Sequence, residues 1–224
     1  MTSPPVDLDP ASALEPSARI DSDHPEIQAQ ARALTQGTTD PDEVVGALFA
    51  FVRDTIAYDM APDLSGDDPW RASGTLARGR GFCQQKAVLL AALLRAAGIP
   101  AALSFQVLRS HQIPPHYVEF LGGQDMDVHG LSLVHLGGVW RRIDATLDRS
   151  LCDRRGYRIV EYRPGTDDLL LPETTLAGDQ HFEIIEELGH YLEIPDDLAR
   201  RTIELEFLHD ASYQAMVHRR GAGA

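Results

Sequence analysis

Residues 80–98 read RGFCQQKAVLLAALLRAAG, and this stretch decides the fold. Its apolar part, from position 87 to 97, contains a single charged residue, Arg95. A helix that is apolar on nearly all sides belongs in a protein core. Gly98 offers a left-handed stop, and the proline at position 100 cannot continue the helix. The pattern therefore predicts a buried helix of about four turns from Phe82 to Ala97.

Cys83 lies in the first turn of this predicted helix. There the unpaired backbone N–H groups and the positive end of the helix dipole favour an anion. A thiol in such a place is readily converted to the thiolate, which is the nucleophilic form. Gly81 lets the backbone approach closely and leaves room for a substrate. From this stretch alone, a catalytic cysteine and a buried cysteine that only packs are equally good interpretations.

The composition is that of an acidic globular protein. Of 224 residues, 43% are hydrophobic, and 20 basic residues stand against 34 acidic ones, which gives a formal net charge of −14. Such a chain repels phosphate backbones and anionic membranes, so we expect neither as a partner. Because there are only two cysteines, no recognisable signal peptide and no apolar run long enough for a bilayer, we expect a cytoplasmic protein.

Helices come first along the chain, and strands follow. Pro25 and Pro41 each stand at the start of an acidic amphipathic segment, which predicts two helices, and 70–78 predicts a third. Apolar residues at every second position predict strands at 101–108, 116–121, 128–136 and 139–145. Helices are predicted again at 182–188 and 196–208. The pattern predicts an α+β domain, with the Cys83 helix packed on an antiparallel sheet.

Four parts of the chain are predicted from these changes in pattern. They are a mobile N-terminal arm at 1–22, a core at 23–150, an extension packed on the core at 151–218 and a frayed tail at 219–224. The arm is inferred from its many Pro, Ser and Asp residues, and the tail from its small and basic residues.

The pair Gly137-Gly138 is a strong signal for a two-residue hairpin turn. If these glycines form the loop, His129 and Asp144 lie on one face of the sheet as diagonal neighbours, about 7–8 Å apart at the backbone. A hydrogen bond between the two side chains can span that distance. His135 shares the face, but it lies about 13 Å from Asp144.

Cys83, His129 and Asp144 together match a catalytic triad. Cys83 would be the nucleophile, His129 would carry its proton, and Asp144 would orient the imidazole and stabilise its cation. The backbone N–H of Cys83 is a natural donor to an oxyanion. His116 is the second candidate for the base. A metal site is not expected, because neither C-x-x-C nor H-E-x-x-H spacing occurs.

These residues resemble the motifs of the transglutaminase-like superfamily of papain-like cysteine enzymes, in its bacterial single-domain form. That pattern has G-x-C before an apolar helix, then A-x-L-L-R-x-x-G-I-P-A. A histidine follows later, with a tryptophan eleven residues on and D-x-T fifteen on. The matching elements here are GFC at 81–83, AALLRAAGIPA at 91–101, His129, Trp140 and DAT at 144–146. The resemblance covers roughly residues 40–150. It fails just after the histidine, where Leu131 and Leu133 replace the usual aromatic and acidic residues.

The resemblance implies a papain-like fold and acyl transfer through a cysteinyl thioester, with no cofactor and no metal. The donor is a peptide, another amide or a carrier-protein thioester, and the acceptor is water, an amine or a carbanion. Some similar proteins release products from biosynthetic assembly lines by Dieckmann cyclisation, so a carrier-protein cyclase is one alternative. A binding module that keeps the fold without the chemistry is another. The candidates for holding the substrate or its oxyanion are Tyr58, Gln84, Trp70 and Trp140.

Overall fold

The computed structural model of the chain describes residues 7–60, 64, 68–115, 118, 122–165, 167–203, 213 and 215. They include the α-helices α1 (Pro25–Leu34), α2 (Pro41–Asp54), α3 (Ala72–Arg78), α4 (Cys83–Ala96), α5 (Arg149–Arg155) and α6 (Asp196–Ile203), and a 3₁₀ helix at Ser12–Leu14. The strands are β1 (Ala57–Tyr58), β2 (Arg80–Gly81), β3 (Ala101–Ser110), β4 (Asp125–Leu136), β5 (Val139–Ile143) and β6 (Phe182–Tyr191). The predicted α+β class is confirmed.

In the described part of the chain, the main sheet is antiparallel, with the strand order β5-β4-β3-β6. β1 and β2 form a separate parallel pair. Helix α4 contacts β3 and β4 of the main sheet as well as α1, α2 and α3. Because α4 is enclosed by the sheet and the other helices, its sequence is apolar nearly all round.

The buried helix predicted at 82–97 is confirmed within one residue at each end. Every residue of Cys83–Arg95 is buried, and Gly98 follows the last turn with a φ of +78°. The buried ammonium group of Lys86 donates hydrogen bonds to the carbonyl oxygens of Arg53 and Ile56, at 3.0 and 2.6 Å. These carbonyls lie at the C-terminal end of α2, where the helix dipole favours a cation. Burial nevertheless lowers the pKa of Lys86 to about 8.

The hairpin of β4 and β5 has the predicted register. Its pairs run from Leu136–Val139 beside the turn to Ser132–Ile143. Gly137 and Gly138 have φ angles of +59° and +81°, and a tight turn with positive φ at both central positions strongly favours glycine. Beyond Ile143 the regular pairing with β4 ends, and the backbone N–H of Asp144 bonds instead to the carbonyl oxygen of Leu169, at 2.9 Å.

The predicted helix at 182–188 is wrong, because this segment is the edge strand β6. It pairs with β3 from Ser110–Phe182 to Leu103–Tyr191, with irregularities in the register. Gly189, the residue after the predicted helix, lies inside the strand with a φ of +112°. The helical pattern of the segment is overridden by the unpaired edge of β3, whose backbone groups need partners.

The predicted mobile arm is wrong for its described part, residues 7–22. Ala13 and Ile20 are fully buried. The hydroxyl of Ser17 and the backbone N–H of Arg19 both donate to the carboxylate of Glu193, which follows β6. Two buried apolar residues and hydrogen bonds to a carboxylate that is distant in the sequence therefore fix this segment on the core, although its composition is that of a loop.

The other boundaries differ in smaller ways. Helix α2, predicted by its start at Pro41, ends at Asp54, and the chain then turns into β1. The strand predicted at 116–121 lies almost wholly outside the described residues, and the tail at 219–224 lies outside them entirely. The predicted extension at 151–218 contributes β6 to the main sheet, and so it is built into the fold rather than added to it.

Candidate active site

Cys83 is the first residue of α4. Its side chain is almost covered, with 6% of the residue exposed, and Sγ lies 3.9 Å from the carbonyl oxygen of Val128 on β4. Gly81, two residues earlier, is required by packing: an added Cβ would come within 3.0 Å of Gln85 and 3.2 Å of Thr75. The expectation that Gly81 leaves room for a substrate is therefore replaced by a packing role.

His129 and Asp144 form a buried pair. The Nε2 atom of His129 lies 2.7 Å from Oδ2 of Asp144, and each residue is only 1% exposed. The other carboxylate oxygen, Oδ1, accepts a hydrogen bond from the backbone N–H of Thr146, at 2.9 Å. Because both oxygens are engaged, the carboxylate has a fixed orientation toward the ring.

The second ring nitrogen of His129 is left for Cys83. Nδ1 has no hydrogen-bond partner among the described residues. Burial alone lowers the pKa of His129, but the charges of Asp144 and Cys83 and the hydrogen bond to Asp144 raise it to about 10. The protonated form of the imidazole is therefore favoured at this position.

Gly130 brings the nucleophile helix close to the strand that carries the histidine. An added Cβ would come within 3.0 Å of Phe105 and 3.2 Å of the Cα atom of Gln84, the residue after Cys83. Ser132, two residues along β4, donates its hydroxyl to the carbonyl oxygen of Ala87, at 2.9 Å. The sequence reasoning missed Gly130, although a glycine inside a strand pattern signals a close backbone approach.

Tyr58 lies in the cleft beside the nucleophile. In the parallel pair of β1 and β2, Tyr58 is the partner of Gly81, and its backbone N–H donates to Asp148, at 3.0 Å. Burial, followed by the negative charges of neighbouring groups of which Cys83 is the first, raises the pKa of Tyr58 well above 10. The phenol therefore remains protonated and can donate a hydrogen bond into the cleft.

Gln84 and Trp70 are placed in a buried polar network instead of the cleft. The Oε1 atom of Gln84 accepts from the indole N–H of Trp70, at 2.7 Å. Its Nε2 atom donates to the carbonyl oxygen of Val128 and to the hydroxyl of Thr202 on α6, at 2.8 and 2.7 Å. The amide is occupied on both sides, so this network ties α4 to β4 and α6 and leaves no side-chain donor free.

Trp140 is also outside the cleft. Its ring packs against His135 across the hairpin, with the centroids 5.0 Å apart, and its indole N–H donates to the carbonyl oxygen of Leu8, at 3.3 Å. His135 thus contacts Trp140, and His129 is the histidine that contacts Asp144. His116, the second candidate for the base, lies outside the described residues.

A cleft of about 250 Å³ opens at Cys83. It is lined by Cys83, His129, Tyr58 and the backbone around them, and it continues along a mostly apolar wall built from α5, the start of β6 and the loops between them.

Among the described residues, no group of three or more His, Cys, Asp or Glu side chains is arranged to hold a metal ion. No helix in this part of the chain is long and apolar enough to cross a membrane.

The family model for the transglutaminase-like superfamily matches residues 28–145, which include Cys83, His129 and Asp144. The chain belongs to this superfamily. The match begins inside α1, covers α2 to α4, the hairpin and the candidate triad, and ends before α5 and β6. No curated protein matches the chain.

Among the solved structures that are similar to the chain are the following two. One is a candidate cysteine protease from Cytophaga hutchinsonii, with 21% identity and a TM-score of 0.47 over 83% of this chain and 55% of that one. The other is the periplasmic domain of TgpA from Pseudomonas aeruginosa, with 24% identity and a TM-score of 0.44 over 62% of this chain and 48% of that one. The chain thus corresponds to about half the length of each.

Proposed function

We propose that the protein is a cysteine acyltransferase or hydrolase that forms a cysteinyl thioester from an amide or thioester substrate. One observation carries the proposal: His129 is buried between the carboxylate of Asp144 and the thiol of Cys83, which begins a helix at the end of a cleft. A buried histidine whose pKa is raised by two opposite charges is a feature of functional sites.

The acylation step uses the triad and two hydrogen-bond donors. The thiolate of Cys83 attacks the carbonyl carbon, and the C=O electron pair moves onto oxygen. The backbone N–H of Cys83 and the phenol of Tyr58 are the proposed donors to that oxyanion. When the oxyanion collapses, the C–N or C–S bond breaks and the leaving amine or thiol takes the proton from Nδ1 of the His129 imidazolium.

In the second step, His129 accepts a proton from the acceptor as it attacks the thioester, and the Cys83 thiolate leaves. The acceptor is water, an amine or a carbon nucleophile of the acyl group itself. The last case is the Dieckmann-type release of a carrier-protein thioester, and the mostly apolar wall of the cleft favours it as the second candidate, because a dry site protects a thioester from hydrolysis.

The proposal is tested by mixing the protein with a panel of acyl amides and acyl thioesters and recording intact mass spectra at short times. We expect an acyl adduct on Cys83 that is absent in Cys83→Ala and much slower to form in His129→Ala. Adding an amine, or using an acyl group with an internal carbanion, identifies the acceptor from the product released. The binding-module alternative is favoured instead if no member of the panel acylates Cys83.

A further inference from the structure

The far wall of the cleft is built by the part of the chain beyond the family match. Leu147, Leu151, Leu171 and Phe182 all line it and are largely buried. On β3, the partner of His129 is Gln106 and the partner of Phe182 is Ser110. The four-residue step between these partners places the start of β6 about 13 Å along the sheet from His129. The part of the wall at the start of β6 is thus set apart from His129 along the sheet.

His181 lies in this wall immediately before Phe182. It is fully buried, and neither of its ring nitrogens has a hydrogen-bond partner among the described residues. The ring stacks on Phe182 and contacts the tilted ring of Tyr157, with centroid distances of 3.8 and 4.1 Å. The backbone of His181 is fixed as well, since its N–H donates to the backbone carbonyl oxygen of Glu173, at 2.7 Å. The imidazole is therefore held in position without using either of its polar atoms.

An unpaired polar ring in a protein interior is destabilising, and native proteins rarely leave one without a function. Burial, with a smaller contribution from His111, lowers the pKa of His181 to about 4. The ring is neutral at physiological pH and offers one donor and one acceptor. Such a ring pairs with an uncharged group such as a hydroxyl or an amide.

We propose that this wall is the acyl-binding region, and that His181 recognises an uncharged hydrogen-bonding group at the end of an aromatic or branched apolar acyl chain. The inference rests on the proposed function, because that function attaches the acyl group to Cys83 and so points the rest of the group into this wall. Its size agrees with the space present, because a cavity of about 150 Å³ holds benzene and this cleft measures about 250 Å³. The binding of a 3-(4-hydroxyphenyl)propanoyl group would bury the ring on the leucines and bring its hydroxyl to His181.

The test measures equilibrium binding to the Cys83→Ala protein, so it does not depend on catalysis. The probes are the primary amides of 3-(4-hydroxyphenyl)propanoic, 3-phenylpropanoic and acetic acids, followed by isothermal titration calorimetry. We expect the hydroxylated aryl amide to bind roughly 10-fold more tightly than the phenyl amide, as a net hydrogen bond allows. Both should bind far more tightly than acetamide.

His181→Phe keeps the stacking of the ring and removes its polar atoms. In that variant the preference for the hydroxyl group should vanish, while the preference for the aryl group over acetamide remains. His135→Phe makes the same exchange at a histidine that stacks on Trp140 outside the cleft, and it should bind all probes as the parent does. Leu171→Trp, which places a larger side chain in the wall, should abolish aryl binding and replaces His181→Phe as the test if that variant does not fold.

The inference is overturned if the three probes bind equally, or if the hydroxyl preference persists in His181→Phe. Neither result touches the proposed function, which is decided by the acylation of Cys83. Conversely, a protein that binds the aryl amides as expected but is never acylated at Cys83 supports the proposed binding region and refutes the proposed enzymatic activity.

Discussion

Replacing Asp144 by asparagine tests how the structure activates the histidine. The oxygen that accepts from the Thr146 N–H, at 2.9 Å, is needed to satisfy that donor, so the new amide keeps its oxygen there. Its NH₂ group then points at Nε2 of His129, where the carboxylate oxygen lay at 2.7 Å. Nε2 is forced to accept, and the ring proton moves to Nδ1, the atom that should receive the proton of Cys83.

The size of the effect follows from the role of His129 as the proton acceptor. Asp144 is the strongest of the groups that raise the pKa of His129 from 6.5 to about 10 against the effect of burial. Its loss lowers this pKa and weakens the histidine as a base for the Cys83 thiol. General acid–base assistance contributes about 10²–10⁴-fold to a rate, so we expect alkylation of Cys83 to slow by a factor of that order.

The assay is the rate of iodoacetamide alkylation of Cys83 at pH 6, followed by intact mass spectrometry. Asp23→Asn makes the same exchange at an exposed site far along the chain from the triad, and it should react at the parent rate. Thermal unfolding of both variants separates lost activation from lost folding. A folded Asp144→Asn protein that is alkylated as fast as the parent would refute the reasoning.

Four further outcomes are expected. Gly130→Ala should lower the free energy of unfolding by about 1–3 kcal/mol and slow alkylation, because the added Cβ forces α4 away from β4; urea denaturation measures the first effect. Tyr58→Phe should slow acylation by roughly 10²-fold with little change in KM, as expected for a donor to the oxyanion alone. His135→Ala should retain most of the acylation rate. An inactive His135→Ala protein, together with an active His129→Ala protein, would reverse the assignment of the base. Since the folded-state pKa of His129 is raised from 6.5 to about 10, the stability it contributes is complete below pH 6.5 and lost as the pH rises to 10. Denaturation at pH 6 and pH 9 should therefore show a larger loss in the parent than in His129→Gln, and an equal loss would contradict the raised pKa.

Much of the triad geometry could be predicted because it depends on local signals. The positive φ that Gly137 and Gly138 permit sets the hairpin register, and the register sets the distance between His129 and Asp144. The apolar run after Cys83 has no solvent-facing side, which is enough to place that residue at the start of a buried helix. Each of these inferences needs only neighbouring residues and the geometry of one element.

The features that were missed depend on contacts between distant segments. β6 has a helical pattern, and its strand conformation is decided by the free edge of β3. Tyr58 was a candidate from the sequence, but its pairing with Gly81 was not predicted, because a two-residue parallel pair is too short to leave a periodic signal. His181 reaches the cleft only because β6 joins the sheet beside β3, so no reading of its own neighbours could have assigned it there.

The most direct test of the account compares the two cysteines of one molecule. Cys152 is buried, and burial raises its pKa to about 11, whereas Cys83 lies beside the His129–Asp144 pair. Brief treatment with iodoacetamide at pH 6, followed by peptide mapping, should modify Cys83 and leave Cys152 intact, and His129→Ala should greatly slow the modification of Cys83. Equal modification of both cysteines in the folded protein, or a rate at Cys83 that is unchanged in His129→Ala, would contradict an activated nucleophile.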